Sequence, residues 1–285
     1  MIKIGIEDGS YRKKYGAETA YRKLRSIGYE CIDYQNFINT DTELFQNGSS
    51  AFDTIIKRER EIIEDAGLEV SQTHGPWRWP AQDSTEEERE ERFQKMSISI
   101  RGTALLGCRY FVIHPVMPTG GGECPDPEEF YRINRSFMIR LAEEGRKNGV
   151  IVCLENMPMQ KLPISRPEAT LAFVKEINDP HLKMCLDTGH CTMFGINPAE
   201  SVRNIGKEYL RVLHVHDNNG YQDMHGLPFT GVIDWDDFRN SLQEIGFEGC
   251  LSLETVNSLK YPAGILELQE RSLYLSARYL AGRTE

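Results

Sequence analysis

The segment LRVLHVHDNNGYQDMHG, at positions 210–226, concentrates side chains that bind metals or move protons. It begins as an apolar run that is typical of a buried strand. Five ionisable residues follow, which are His214, His216, Asp217, Asp223 and His225. An imidazole or carboxylate at the end of an apolar run is costly to bury unless it is paired or bound to an ion. The segment therefore predicts one wall of a metal-binding pocket.

Ionisable residues also end other apolar runs of the chain. They are His74, His114, Glu155, Asp187 and Glu254, with His190 in the turn after Asp187. A single strand-end residue of this kind more often caps a helix or forms a hydrogen bond in the core. Six successive strands carry one here, however, and barrel enzymes build their sites from the carboxyl ends of several strands. The pattern therefore predicts one shared site.

The carboxylates of this group and an imidazole nitrogen form a mixed set of oxygen and nitrogen ligands. Such a set suits one divalent ion, Mn, Co, Mg or Zn, rather than a thiolate site. His214 and His216 are two residues apart and point the same way from a strand, so either can supply the nitrogen. We favour His214, with Asp217 as the partner that orients it. His216 and Asp223 are candidates for an additional metal site.

Eight short apolar runs, each followed by a longer amphipathic stretch, supply the elements that must position these residues. The runs are Ile2–Ile6, Tyr29–Tyr34, Glu69–Thr73, Tyr110–His114, Val150–Glu155, Leu182–Asp187, Val212–His216 and Cys250–Glu254. Near-continuous apolar strands are expected in a parallel sheet that is covered on both faces. Eight such units without a linker predict an α/β fold, a (β/α)8 TIM barrel that residues 1–285 form as a single domain. A doubly wound open sheet is the alternative, but no glycine-rich fingerprint follows the first strand.

The chain carries a formal net charge of −10 and has no long basic block. It therefore lacks the charge pattern of a nucleic-acid-binding protein. No apolar run approaches the length of a membrane span, and the first residues, MIKIGIEDG, do not read as a signal peptide. Seven scattered cysteines without a CxxC pair favour a reducing compartment. We expect a cytoplasmic protein without a membrane partner, and a homo-oligomer is compatible with the fold because such barrels often pair.

Seven motifs together resemble those of the xylose isomerase-like barrel superfamily, which contains sugar isomerases and epimerases and the endonuclease IV group. They are THGPW, VIHP, LENMP, LDTGH, HVHDN, DMHGLPFTGVIDW and LSLET, and they span essentially the whole chain. In ketose 3-epimerase relatives, one divalent ion is held by a Glu, Asp, His, Glu set. The resemblance implies that this set is Glu155, Asp187, His214 and Glu254 here. It also implies that the two glutamates flank a sugar and exchange its proton.

The resemblance further implies that His190, in LDTGH, contacts substrate oxygens. His225 stands where those epimerases carry a substrate-binding arginine, and this departure leaves the substrate open. His74 and His114 are expected to line the pocket. The cluster Trp77-Arg78-Trp79 predicts an aromatic wall for the substrate, with loop packing as an equal alternative.

Endonuclease IV relatives hold three zinc ions with a larger ligand set, and this sequence has suitable residues at all nine matching positions. The positions are His74, His114, Glu155, Asp187, His190, His214, Asp223, His225 and Glu254. A DNA enzyme must neutralise phosphates with lysine or arginine, yet the segment 36–50 contains neither. We therefore expect a metal-dependent sugar or sugar-phosphate isomerase or epimerase that works through an enediolate. A zinc phosphodiesterase is the alternative, and a non-catalytic sugar-binding barrel would leave the carboxylates idle.

Overall fold

Eight parallel strands form one sheet in a computed structural model that describes residues 1–46, 48–77, 79–81, 83–255 and 259–283. The strands are β1 (Lys3–Glu7), β2 (Cys31–Tyr34), β3 (Glu69–His74), β4 (Tyr110–Ile113), β5 (Ile151–Glu155), β6 (Leu182–Asp187), β7 (Leu210–His214) and β8 (Cys250–Leu253). They pair in the order β7-β6-β5-β4-β3-β2-β1-β8. A parallel bridge between Val215 and Leu253 joins the chain beyond β7 to β8. The sheet is thus a nearly closed barrel, and the predicted TIM-barrel fold is confirmed.

Helices connect successive strands, as parallel pairing requires. They are α1 (Gly9–Tyr15), α2 (Ala17–Ile27), α3 (Glu43–Gln46), α4 (Gly48–Asp65), α5 (Glu86–Leu105), α6 (Pro127–Asn148), α7 (Pro167–Ile177), α8 (Thr188–Thr192), α9 (Pro198–Tyr209), α10 (Trp235–Glu244) and α11 (Ala263–Leu280). Among the described residues, no helix is both long enough and apolar enough to cross a membrane.

A small apolar layer inside the barrel forms the floor of the candidate site. It consists of Val112, Cys153, Cys185 and Val212, all buried. Because side chains alternate between the two faces of a strand, the residue two positions later faces the same side. Those residues are His114, Glu155, Asp187 and His214. The alternation that buries the floor therefore also directs these four side chains to the mouth of the barrel.

Asp8 is a fully buried carboxylate just after β1. Its oxygens accept hydrogen bonds from the Tyr21 hydroxyl and the Gln35 backbone N–H, both at 2.9 Å. Burial raises the pKa of Asp8 to about 7, although the Arg12 guanidinium lies 3.9 Å away. A carboxyl whose pKa is higher in the folded than in the unfolded chain favours folding while it is protonated. That stabilisation is lost as the pH rises through about 7.

Titration of Asp8 is expected to lower the free energy of unfolding of the wild type between pH 4 and pH 8. In Asp8→Asn this decrease is expected to be smaller by about 4 kcal/mol, because asparagine does not titrate. Urea denaturation of both chains across this range measures the difference. An identical pH dependence in the two chains would contradict the expectation.

Candidate active site

Side chains at the carboxyl ends of β5, β6, β7 and β8 converge above the floor. Glu155, Asp187 and His214 are the last residues of their strands, and Glu254 directly follows β8. One ligand atom from each of the four lies within 4.8 Å of the others. The first three residues are buried, and Glu254 is partly exposed. The structure thus brings together the four residues that the sequence pointed to as metal ligands; we call them the first group.

His214 is central to the first group, because its Nδ1 faces two carboxylates. This nitrogen lies 3.1 Å from Glu155 Oε1 and 3.2 Å from Glu254 Oε2. Asp187 is held differently, since its Oδ1 accepts a hydrogen bond of 2.7 Å from the backbone N–H of His190. That bond caps the short helix α8 and fixes the carboxylate at the end of β6.

The two glutamates of the first group have opposite electrostatic environments. Burial opposes ionisation of Glu155, but the imidazoles of His214 and His114 outweigh it and hold the pKa well below its usual value. Burial raises the pKa of Glu254 well above its usual value. The nearby His214 lowers this pKa and the negative charge of Glu155 raises it further, and the net effect is a raised pKa. Two carboxyls this close resist joint ionisation unless a cation lies between them.

A second group of metal-binding side chains adjoins the first. It contains His190, His216, Asp223 and His225, with one ligand atom of each within 4.8 Å of the others. Asp223 Oδ2 lies 3.2 Å from His190 Nε2 and 3.6 Å from His225 Nε2. His216 Nε2 is 2.9 Å from Asp187 Oδ2, so this ring links the two groups. Both candidates for an additional metal, His216 and Asp223, therefore belong to this second group.

The glycine of LDTGH makes room for the His216 ring. A Cβ atom at Gly189 would lie 2.0 Å from His216 Cε1, which is far shorter than a van der Waals contact. Any side chain at position 189 therefore requires the His216 ring to shift from the position in which it contacts Asp187.

His74 and His114 form a third group together with Glu155. His114 Nε2 lies 3.1 Å from Glu155 Oε2 and 3.2 Å from His74 Nε2. Burial lowers the pKa of His114 to about 4, so its imidazole is neutral and able to bind an ion. Trp77 packs edge-on against His114 with ring centroids 4.3 Å apart, and it thus lines the pocket. Arg78, predicted in the same cluster, lies outside the described residues.

Backbone carbonyl groups orient three of the site histidines. Their Nδ1 atoms donate to carbonyl oxygens, namely His74 to Gly75 at 2.9 Å, His190 to Asn156 at 2.7 Å and His225 to Glu254 at 2.8 Å. In a neutral ring the Nε2 atom is then the acceptor, and in each case it faces other side chains of the groups. Fixing one nitrogen so that the other is presented to the site is typical of metal-binding histidines.

The partner predicted for His214 is wrong. Asp217 accepts hydrogen bonds from the Gly231 backbone N–H at 2.9 Å and the Trp235 indole N–H at 2.8 Å, so its carboxylate organises the loop after β7. The reason is that Asp217 lies beyond the end of β7 at His214, where the chain pairs Asp217 with Gly226 of the following loop.

The residue that contacts the second ring nitrogen of His214, Nε2, is Asp33, which was not identified from the sequence. Asp33 Oδ2 lies 3.1 Å from His214 Nε2, and the side chain is fully buried within β2. A signal was present, because Asp33 is an acid inside the apolar run CIDY. The same kind of signal identified the acids of the later strands.

Comparison of the sequence with known proteins identifies a family and several relatives. The family described as "Xylose isomerase-like TIM barrel" matches residues 21–273. A segment of 192 residues is 32% identical to an uncharacterised protein of Methanocaldococcus jannaschii and covers 62% of this chain and 63% of that protein. A segment of 87 residues is 30% identical to D-psicose 3-epimerase of Enterocloster bolteae and covers 30% of this chain and 27% of that enzyme. The chain thus spans less than two thirds of the length of either relative.

Solved structures of the same fold match over nearly the full chain. The crystal structure of a D-tagatose 3-epimerase-like protein has a TM-score of 0.75 at 23% identity, with 99% of this chain and 98% of that chain covered. At this identity the likeness shows the fold alone. Further neighbours include D-psicose and L-ribulose 3-epimerases and a protein described with a bound zinc atom.

Proposed function

The chain belongs to the xylose isomerase-like TIM-barrel family. We propose that it is a divalent-metal-dependent isomerase or epimerase of a sugar or sugar phosphate. One observation carries the proposal: four ligand residues from four strand ends converge within 4.8 Å at the mouth of the barrel. Relatives that are sugar epimerases and isomerases support it. The cytoplasmic location and the homo-oligomer stay predictions.

The first group fits one divalent ion, for which Mn, Co, Mg and Zn are the candidates. Glu155, Asp187 and Glu254 offer oxygens and His214 offers a nitrogen, a combination that these ions accept. Glu254 Oε2 is buried and makes no hydrogen bond within the described part of the chain, so it has a lone pair available for an ion. When bound, such an ion polarises a substrate carbonyl and stabilises negative charge that develops on its oxygen.

Glu155 and Glu254 are assigned the proton transfers. They extend from β5 and from the end of β8, and both reach the same nitrogen of His214. Both carboxylates therefore reach the space beside His214, and we assign them to the two sides of a substrate carbon held there. One carboxylate removes the proton next to the carbonyl, and the same or the other one returns it. Return of the proton to the opposite face of the same carbon gives epimerisation. Transfer of the proton along one face to the neighbouring carbon gives isomerisation.

The remaining predicted residues are assigned to substrate contacts. They are His74, His114, Trp77, His190 and His225. His225 and Asp223 are the exposed members at the open side of the pocket. A sugar offers hydroxyl groups that both accept from and donate to imidazoles, so these side chains suit a polyhydroxylated substrate.

A zinc phosphodiesterase of the endonuclease IV kind is the second candidate. It is favoured by the three adjacent metal-binding groups: the first and third share Glu155, and the first and second are linked through the contact of His216 with Asp187. Phosphodiester hydrolysis by neighbouring ions needs such an arrangement. The absence of lysine and arginine from segment 36–50 argues against a DNA substrate.

Metal content and a substrate screen together test the proposal. Elemental analysis of protein purified without chelator is expected to show one divalent ion per chain, together with turnover of a ketose or ketose phosphate. Two or three zinc ions per chain and nicking of abasic-site DNA would instead support the phosphodiesterase. A chain that takes up no metal after reloading would contradict both functions.

A further inference from the structure

We propose that Asp33 is a positioning residue that holds His214 with Nδ1 directed to the metal-binding set, an inference that rests on the proposed function. Asp33 belongs to none of the three metal-binding groups. It lies in β2, at the opposite nitrogen of the His214 ring from Glu155 and Glu254. Its Oδ2 is 3.1 Å from His214 Nε2, while the opposite nitrogen, Nδ1, lies 3.1 Å from Glu155 Oε1.

The contact selects one form of the ring. An ionised carboxylate only accepts hydrogen bonds, so His214 Nε2 must carry a proton to bond with Asp33. In the neutral ring, Nδ1 then has the free lone pair that a metal requires. Asp33 thus does for His214, through a carboxylate, what backbone carbonyls do for His74, His190 and His225. A charged acceptor also makes the imidazole a more basic ligand than a carbonyl does.

Gln72 fixes Asp33 in this position. The Gln72 amide donates to Asp33 Oδ2 at 3.1 Å and to the carbonyl oxygen of Leu213 at 3.2 Å. Leu213 immediately precedes His214, so this amide ties the carboxylate to the backbone that carries the ring. Gln72 is fully buried, and the three side chains form a continuous polar chain across the interior of the barrel from β2 and β3 to β7.

The cost of burying Asp33 supports a functional role. Its second oxygen, Oδ1, is buried and has no hydrogen-bond partner among the described residues. A buried carboxylate with an unpaired oxygen is unfavourable for folding. Such groups are typical of functional sites rather than of packing.

Metal affinity in matched variants tests the role. The dissociation constant for Zn²⁺, measured by competition with a chromophoric chelator, is expected to rise about 10- to 100-fold in Asp33→Ala. Asp33→Asn is expected to show a smaller rise, because its amide oxygen still accepts from Gln72 and from His214 Nε2. Asp8→Asn is the control, since it removes another buried carboxylate but not one that bonds to a site histidine. Its affinity is expected to equal that of the wild type.

A second readout follows the ring itself. ¹⁵N NMR of histidine in the zinc-loaded wild type is expected to show a protonated Nε2 and a metal-bound Nδ1 for His214. Coordination through Nε2 would overturn the proposal, as would equal zinc affinity in the wild type and the Asp33 variants. If Asp33→Ala does not fold, the zinc affinity of Asp33→Asn and the ¹⁵N spectrum of the wild type test the proposal. A wild type that binds no divalent ion overturns the proposed function and this role together, whereas unchanged affinity in the variants overturns this role alone.

Discussion

Glu155→Gln and Glu254→Gln are each expected to lower kcat by about 10³-fold and to leave the fold intact. Glutamine has the size and shape of glutamate, so the packing around β5 and β8 is preserved. It cannot take up and return a proton, however, and its neutral oxygen is a poorer metal ligand. The measurement is kcat on a ketose substrate at saturating metal, with circular dichroism and a urea midpoint for each variant.

The control for these variants is Glu128→Gln, which removes one negative charge from an exposed position in the first turn of α6. It is expected to have wild-type kcat. Excess metal is expected to leave both active-site variants inactive, because a reloaded ion does not replace the proton carrier. Wild-type turnover in both variants would refute the assignment of the proton transfers.

Asp187→Asn is expected to weaken metal binding on the order of 100-fold and to regain turnover when metal is added in excess. Asp187 is assigned a ligand role without proton transfer, so its loss should be compensated by mass action. Asparagine is also a good helix N-cap, and its side-chain oxygen can still accept from the His190 N–H that begins α8. Titration of chelator-treated protein with Mn²⁺, followed by kcat at each concentration, gives the activation constant.

The contrast between the two kinds of variant is the informative result. Rescue of Asp187→Asn, without rescue of Glu155→Gln or Glu254→Gln, separates metal binding from proton transfer. An unchanged activation constant in Asp187→Asn would show that this carboxylate is not a ligand. Inactivity at saturating metal would mean that Asp187 also takes part in the reaction.

The sequence alone predicted the barrel and the end of it at which the candidate site residues gather. Eight apolar runs predicted eight strands, and the structure has a strand in each of those regions. Period-two alternation then requires that a residue two positions beyond a buried floor residue faces the mouth, as Cys153 and Glu155 show. The sequence predicted the ends of the strands less accurately. For example, β7 was predicted at Val212–His216 but runs from Leu210 to His214. Pairing with neighbouring strands, rather than local sequence, decides where a strand stops.

The partner of each candidate ligand, in contrast, depends on contacts that form only in the folded barrel. His214 and His216 are equivalent in local sequence, yet His214 faces Glu155 and His216 faces Asp187. Asp217 is adjacent to these histidines in the chain but bonds to its own loop, whereas Asp33 is 181 residues from His214 and touches it. Local sequence sets the face from which a side chain leaves its strand. Contacts across the barrel depend on how far the closed sheet brings opposite strands together, which no single stretch of sequence contains.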